Sequence, residues 1–261
     1  MDLEIKIPTE FFTVFNKVTY FDEPHKYYIN GRELISVTTL IHKYAPEFDE
    51  AFWSEKKGKE YNRNPKEILM LWKFINEKGT MKGSIIHDYA ESLFLNKVFE
   101  YPKEKIINHF GFDPVLKEYE ITKKHVDRFY KDTFNKLIPI KTELVVCDEE
   151  SGIGGMVDML FYNVKAGEFQ IWDWKTNKKF TNKSKEGYKL KGALSNLDDC
   201  DLEIYSLQLE LYKYIIEKYI PIKLGRSYLT WFSHNNDNYK VIRTEDRSKE
   251  VKKMLFKHSI M

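Results

Sequence analysis

The sequence predicts a mixed α/β domain: a central mixed β-sheet flanked by helices, with a helical N-terminal half. Three observations lead there. Up to about residue 138, apolar residues recur mainly at helical spacing, behind one hairpin-like opening. From about residue 140 the pattern shifts to short strand-like runs separated by turn residues. A strong helical stretch at 201–219, two more short runs and a terminal helical stretch complete the chain. Helices, meander, helix, strands and helix, in that order, describe a layered α/β architecture.

Each element has a local reason. Residues 18–29 and 33–35 read as a hairpin, because Asn30-Gly31 between them favours the primed turns that paired strands need. Ser36 then caps a short helix, SVTTLIHKY. Asn64-Pro65 opens another, since Asn accepts free N–H groups and Pro is tolerated at the first helical position. That helix runs through Leu69, Trp72 and Ile75 to Gly79, and Thr80 caps a third over roughly 81–96. Residues 114–137 form a fourth. Segments 142–147, 154–162 and 168–174 are strands joined by Glu149-Glu150-Ser151-Gly152 and Lys165-Ala166-Gly167, connections short enough for antiparallel neighbours. The helix at 201–219, strands 226–233 and 239–243, and a helix from about 246 follow.

Nothing divides the 261 residues: there is no internal repeat, low-complexity tract or Pro/Gly/Ser linker, so residues 1–261 read as a single domain. The hairpin and helices occupy about 1–138, and the core about 139–261 together with the 80–96 helix. With 42% hydrophobic residues the chain is too apolar for intrinsic disorder. No run approaches the ~18 apolar residues of a membrane span. The opening MDLEIKIPTEFF interleaves charge with apolar residues and has no apolar signal segment, so a cytoplasmic protein is expected. Lys and Arg number 42 against 40 Asp and Glu, a net of +2, so any anion-binding surface must come from local clustering. Cys147 and Cys200 lie far apart and form no CxxC pair, which leaves no four-thiolate zinc site or iron–sulfur cluster built from this chain alone.

The residues that carry chemistry centre on Asp173-Trp174-Lys175. An acid-x-Lys tripeptide occurs four times in this Lys-rich chain, and context separates this one. Asp173 ends an apolar run (Phe169, Ile171, Trp172), which puts Asp173 and Lys175 on one strand face at period two. An antiparallel return from Gly154-Gly155-Met156-Val157-Asp158 sets Asp158 beside Asp173. Two carboxylates converging next to a lysine form an oxygen-rich site for Mg²⁺. Such a site suits phosphate-ester hydrolysis, which needs more than ~15 kcal/mol of catalysis and is beyond a lysine alone. On the tripeptide alone, the alternative of a strand-end ion pair worth about 0–1 kcal/mol prevails.

Taken in order, Gly83-Ser84-Ile85-Ile86-His87, Glu143, Gly155-x-x-Asp158, Asp173-Trp174-Lys175-Thr176 and Gln208-x-x-x-Tyr212 resemble the PD-(D/E)XK nuclease superfamily. Within it they are similar to the RecB-like branch, which includes phage-type exonucleases and the mitochondrial genome maintenance exonuclease. The likeness runs over residues 79–219, and Ser36-Val37-Thr38-Thr39 and Tyr205-Ser206-Leu207-Gln208-Leu209 are similar to the phage-type proteins as well. Any one of these motifs is weak, and five in order are specific.

The resemblance implies a restriction-endonuclease-like core and a deoxyribonuclease dependent on Mg²⁺ or Mn²⁺, an exonuclease on DNA ends or single strands. Asp158 and Asp173 match the metal-binding carboxylates, the Trp174 backbone carbonyl a further ligand, and Lys175 the catalytic lysine. His87 matches the histidine that joins the metal shell, and Glu143 the acidic residue upstream. Gln208 and Tyr212 match a helix that supports the site and contacts DNA. Asp173 stands where Glu is commoner, and two cysteines fall short of the four that the iron–sulfur branch uses. Two other functions fit the same residues: a non-cleaving protein binding DNA ends or single strands, and an endonucleolytic restriction or defence effector.

Ordinary readings stand beside these. His87 and Glu91, one turn apart, suit a simple surface pair, and the i, i+4 spacing of Gln208 and Tyr212 suits any core helix. Glu143 is preferred over Asp148, Glu149 and Glu150 because it lies inside a strand. Between Asn177 and Lys191, Lys178, Lys179, Lys183, Lys185, Lys189 and Lys191 face one acid, Glu186, six minus one giving a local +5. The stretch reads either as a solvated loop or as a basic flap over a phosphate backbone, with Phe180 and Tyr188 available to stack bases.

Overall fold

The structure, a computed structural model, describes residues 9–21, 25–184 and 187–258. Lys185 and Glu186, residues 22–24 and the first eight residues lie outside the described residues. The Asn30-Gly31 hairpin forms between β2 (Lys26–Ile29) and β3 (Arg32–Ser36), with Asn30 and Gly31 at φ +50° and +78°. The 18–29 segment is not one strand but two. β1 (Val18–Phe21) lies antiparallel to β2, with Tyr20 stacked on Tyr27 and Phe21 edge-on to Tyr28. Aromatic cross-strand pairs of this kind reward folding the segment back on itself.

Ser36 caps α1 (Val37–His42) by accepting from the Thr39 amide at 3.0 Å. Two helices were not anticipated, α2 (Glu50–Tyr61) and α4 (Lys103–Phe110). Asn64-Pro65 opens α3 with a reciprocal cap, Asn64 accepting from Lys66 and Glu67 reaching back to the Asn64 amide. The expected break at Gly79-Thr80 does not occur: α3 runs unbroken over Pro65–Phe94. A mid-helix glycine costs only ~1 kcal/mol, and one continuous face buries Ile68, Ile85, Ile86, Tyr89 and Ala90. The helix ends at Asn96 (φ +52°), where the Lys97 amide reaches the Ser92 carbonyl. α5 (Leu116–Thr133) is shorter than the 114–137 expectation, because Leu137 already begins β4.

β4 (Leu137–Asp148), β5 (Ile153–Asn163) and β6 (Glu168–Lys175) form the predicted antiparallel meander. α6 (Asp201–Tyr219) then crosses to β7 (Tyr228–Trp231), parallel to β6, and β8 (Lys240–Arg243) and α7 (Ser248–His258) complete the fold. The eight strands make one mostly antiparallel sheet with helices on both sides. One core packs α1, α6 and α7 against Val157, Leu160 and Ile171, and the other packs α3 and α5 against Phe161, Trp172 and Trp174.

The sheet forks at β5, and this positions the site. β4 takes one edge of β5 along its whole length. The opposite edge is shared: β6 pairs with Met159–Asn163 and β3 with Ile153 and Gly154. Residues 155–158 lie in the gap between them. Both cysteines are buried and unpaired, and among the described residues no helix is long and apolar enough to cross a membrane.

Candidate active site

Strand register brings three acids side by side. Thr142 pairs with Met159 and Leu144 with Val157, so Glu143 stands opposite Asp158. The last β5–β6 pair is Met159–Trp172, so the next step outward sets Asp158 beside Asp173. The strands part there, and the Asp158 carboxylate takes the place of a backbone acceptor: Trp174 N donates to Asp158 Oδ2 at 2.7 Å. Glu143 sits at φ +43°, a left-handed backbone uncommon for a side chain other than Gly or Asn.

Two helices complete the arrangement. α3 delivers His87, whose Nδ1 lies 3.4 Å from Asp158 Oδ2. It does not pair with Glu91, which instead accepts from Thr142 Oγ1 at 2.6 Å. On the other side, Lys175 Nζ is 2.5 Å from Asp173 Oδ2, donates to Gln208 Oε1 at 3.4 Å, and lies 4.3 Å above the Tyr205 ring. Gln208 Nε2 in turn donates to the Tyr212 hydroxyl at 3.2 Å. Gly155 is required here, because a Cβ would come within 2.4 Å of the Tyr212 ring.

Burial and crowding decide the charges. Burial, then the neighbouring Asp158, raises the Asp173 carboxyl to about 6. Burial, with Glu91, Asp158 and Asp88 around it, lifts Glu143 to about 7. Burial also works against ionised Asp158, but His87, Lys175 and the Trp174 amide outweigh it and hold its carboxyl below the ordinary value. Burial alone would depress the His87 imidazolium, yet Asp158 and Asp173 carry it up to about 9. Lys175 likewise overcomes desolvation through Asp173 and keeps its proton above the usual lysine range.

The donor chemistry fits a divalent cation. Asp173 is 2% exposed, and its Oδ2, though ion-paired with Lys175, receives no hydrogen bond of good geometry. A buried carboxylate oxygen in that state, with a second carboxylate at its side, has the donor chemistry that could hold a metal ion. Among the described residues, however, no three His, Cys, Asp or Glu side chains already converge around one point. Beside the acids opens a cleft of about 720 Å³, between α3 (Ser84, His87) and the β1–β2 hairpin (Tyr20, Tyr27), with Glu143 and Asp158 on its floor.

Other sequence-predicted residues lie elsewhere than expected. Gln208 and Tyr212 are buried, Tyr212 at 3% exposure, and are directed at Lys175 and the sheet rather than at solvent. Trp174 packs its side chain into the second core, parallel to Phe94. Lys178, Lys179 and Lys183 are exposed, but the segment carrying them is tied down. Trp231 donates to the Asn177 carbonyl, Ser233 and Asn235 to that of Lys178, and Thr181 to Asp201. Lys189 is spent on an ion pair with Asp198. Phe180 is not available for stacking, because it packs against Tyr205 and Trp231, whereas Tyr188 is exposed.

Sequence reasoning assigned no role to Tyr205 or Tyr27, and placed Glu91 only as a surface partner of His87. Tyr205 lay inside a quoted motif, so the signal was present. Tyr27 comes from a hairpin more than a hundred residues upstream, and only the parallel pairing of β3 with β5 carries it to the acids. Burial, then Asp158 and Glu143, pushes its hydroxyl up to about 12.

No family model matches the chain, and no curated protein matches it. Two solved structures are similar in part. A candidate exonuclease from Eubacterium rectale aligns at 11% identity over 69% of this chain and 64% of its own, with a TM-score of 0.40. The protein SSO0001 aligns at 14% identity over 68% of this chain and 83% of its own, with a TM-score of 0.24. The chain spans less than two thirds of the first protein's length.

Proposed function

We propose that the chain is a divalent-metal-dependent deoxyribonuclease, an exonuclease of the PD-(D/E)XK, RecB-like kind that acts on DNA ends or single strands. The observation that carries this reading is the meeting of Asp158, Asp173 and Lys175 at the fork in the sheet, with His87 against Asp158. Asp158, Asp173 and the Trp174 carbonyl would hold Mg²⁺ or Mn²⁺, and His87 would join them once its imidazolium proton has been displaced. Once bound, the cation supplies Lewis-acid stabilisation of a phosphoryl oxygen and acidifies a water.

The protein's own groups divide the remaining work. Lys175 keeps its proton, so Nζ donates a hydrogen bond and charge to the attacking water or the scissile phosphate and does not act as a base. Gln208, backed by Tyr212, fixes where that ammonium points. Glu143, raised to about 7, is the carboxylate suited to take a proton near neutral pH. The cleft between α3 and the hairpin is the path for the strand, and exposed Lys178, Lys179 and Lys183 stand ready for backbone phosphates.

The test is end-labelled single- and double-stranded DNA, plus closed circular DNA, with Mg²⁺ or Mn²⁺ and with chelator. Wild type should release nucleotides only with metal, and Lys175→Ala should lower turnover by on the order of 10²–10³-fold. Cutting of a closed circle would convert the reading to an endonuclease. DNA binding without turnover in any divalent metal would replace it with a binding protein on a nuclease scaffold.

A further inference from the structure

A second cavity opens at Lys175, and it shares no lining residue with the cleft beside His87 and Asp158. Its volume is about 400 Å³, within the ~300–1,000 Å³ range of small-molecule pockets. Three distant stretches build it: Thr38 and His42 from α1, Lys175 and Thr181 from the end of β6 and the segment after it, and Asp199, Ile204 and Tyr205 from the entry to α6 and its first turns. α1 carries the Ser36-Val37-Thr38-Thr39 motif, which no step above uses.

The lining chemistry selects the occupant. Tyr205 and Ile204, both half-buried, supply flat and aliphatic surface. Lys175 from one side and Phe180 from another hold the Tyr205 ring in place. The carboxylates are Asp199 and Asp201. Asp201 is already committed, accepting from the amide and hydroxyl of Thr181 at 2.7 and 2.8 Å. The Asp199 carboxylate accepts no hydrogen bond from the described residues; burial and then Asp201 raise its pKa, against the opposing pull of His42 in the same lining. Two carboxylates repel a phosphate and welcome an N–H donor. A flat, amine-bearing group fits against the carboxylates, with its phosphate at the Lys175 end of the cavity.

We infer that this cavity receives the nucleobase next to the scissile phosphate, packed against Tyr205 and Ile204, with Asp199 accepting its exocyclic amine. The inference rests on the nuclease reading and deepens it: adenine, cytosine and guanine carry such an amine, and thymine does not. An accepted hydrogen bond of this charged kind separates the bases by about tenfold or more in affinity.

Full-length protein titrated calorimetrically with dAMP, dCMP, dGMP and dTMP, without divalent metal, reads the cavity independently of turnover. The first three should bind more tightly than dTMP. Asp199→Ala should abolish that difference, and Thr38→Trp, which fills the cavity from its exposed rim, should block all four. Each variant's folding is checked by its thermal transition, and Asp199→Asn provides a conservative second substitution. Equal affinities for the four nucleotides, or binding untouched by both substitutions, would overturn the assignment. So would the absence of saturable binding at millimolar nucleotide in a protein that cuts DNA, and that outcome leaves the nuclease standing. Base-selective binding without any DNA cleavage would keep the cavity and remove the nuclease.

Discussion

Asp148, at the end of β4, is 1% exposed and accepts from Lys218 at 2.8 Å, the Tyr219 hydroxyl at 2.6 Å and Ser151 at 2.7 Å. Burial alone would raise its carboxyl, and these three donors outweigh burial and hold it below the ordinary aspartate value. Asp148→Ala should therefore lower unfolding free energy by about 1.5–3 kcal/mol in urea titrations near neutral pH. The sign with pH follows from linkage. A carboxyl whose folded pKa is depressed contributes fully above its unfolded pKa, and the contribution fades as pH falls through the folded value. The difference between wild type and Asp148→Ala should thus be constant near neutrality and shrink only below about pH 4. An unchanged difference at pH 2 would contradict the assignment. The active-site acids behave oppositely, since burial first and neighbouring carboxylates second raise Asp173 and Glu143, with His87 working against the rise at both and Lys175 at Asp173. At this scale the sequence was legible wherever strand period decides. Asp173 and Lys175 share a face by alternation, and Asp158 comes opposite Asp173 by the shortness of the β5–β6 turn. The partnerships of Glu91 and Tyr27 were not legible, because each depends on a side chain from another element.

Helix α3 shows where element boundaries come from. Its start is written locally, in the Asn64 cap, Pro65 and Glu67. Its continuation through Gly79-Thr80 is decided by what the next two turns bury, and no local residue announces that. Gly79 is exposed, is not at positive φ, and a Cβ there would meet nothing within 4 Å. Gly79→Ala should therefore stabilise the protein by about 0.5–1 kcal/mol through the unfolded chain's lost freedom. A thermal transition raised by roughly 1–4 °C is expected, and a lowered one would mean that the helix is bent or hinged at this point. α2 was missed for a related reason. Its sequence EAFWSEKKGKEY buries only Ser54 and Gly58, so it presents no apolar stripe to read.

For the molecule as a whole, the sheet separates two cores and holds them in register. Phe129 on α5 is fully buried and touches Trp172, Trp174, Phe232 and Tyr239 edge-on or tilted, which makes it the centre of the α3–α5 side. Phe129→Ala should cost about 3–5 kcal/mol, measured by denaturant midpoint at unchanged slope. A loss under 1 kcal/mol would mean that this core collapses freely around the gap. The same packing fixes Trp174 between Asp173 and Lys175, so the strand end that carries the site is anchored by the core it turns its back on.

Local chemistry alone determined the fold class, most strand and helix starts, and the strand face shared by Asp173 and Lys175. Each of these depends on neighbours a few residues away: caps, turn dipeptides and the alternation of apolar side chains. Tertiary structure decided the rest. It joined α3 across its glycine, ran β3 into β5 beside the fork, turned Gln208 and Tyr212 inward beneath Lys175, and tied the Lys-rich segment to Trp231 and Asp201. The reason is that burial, desolvation and cross-strand pairing are set by residues up to a hundred or more positions away, and a one-dimensional pattern does not record which of them meet.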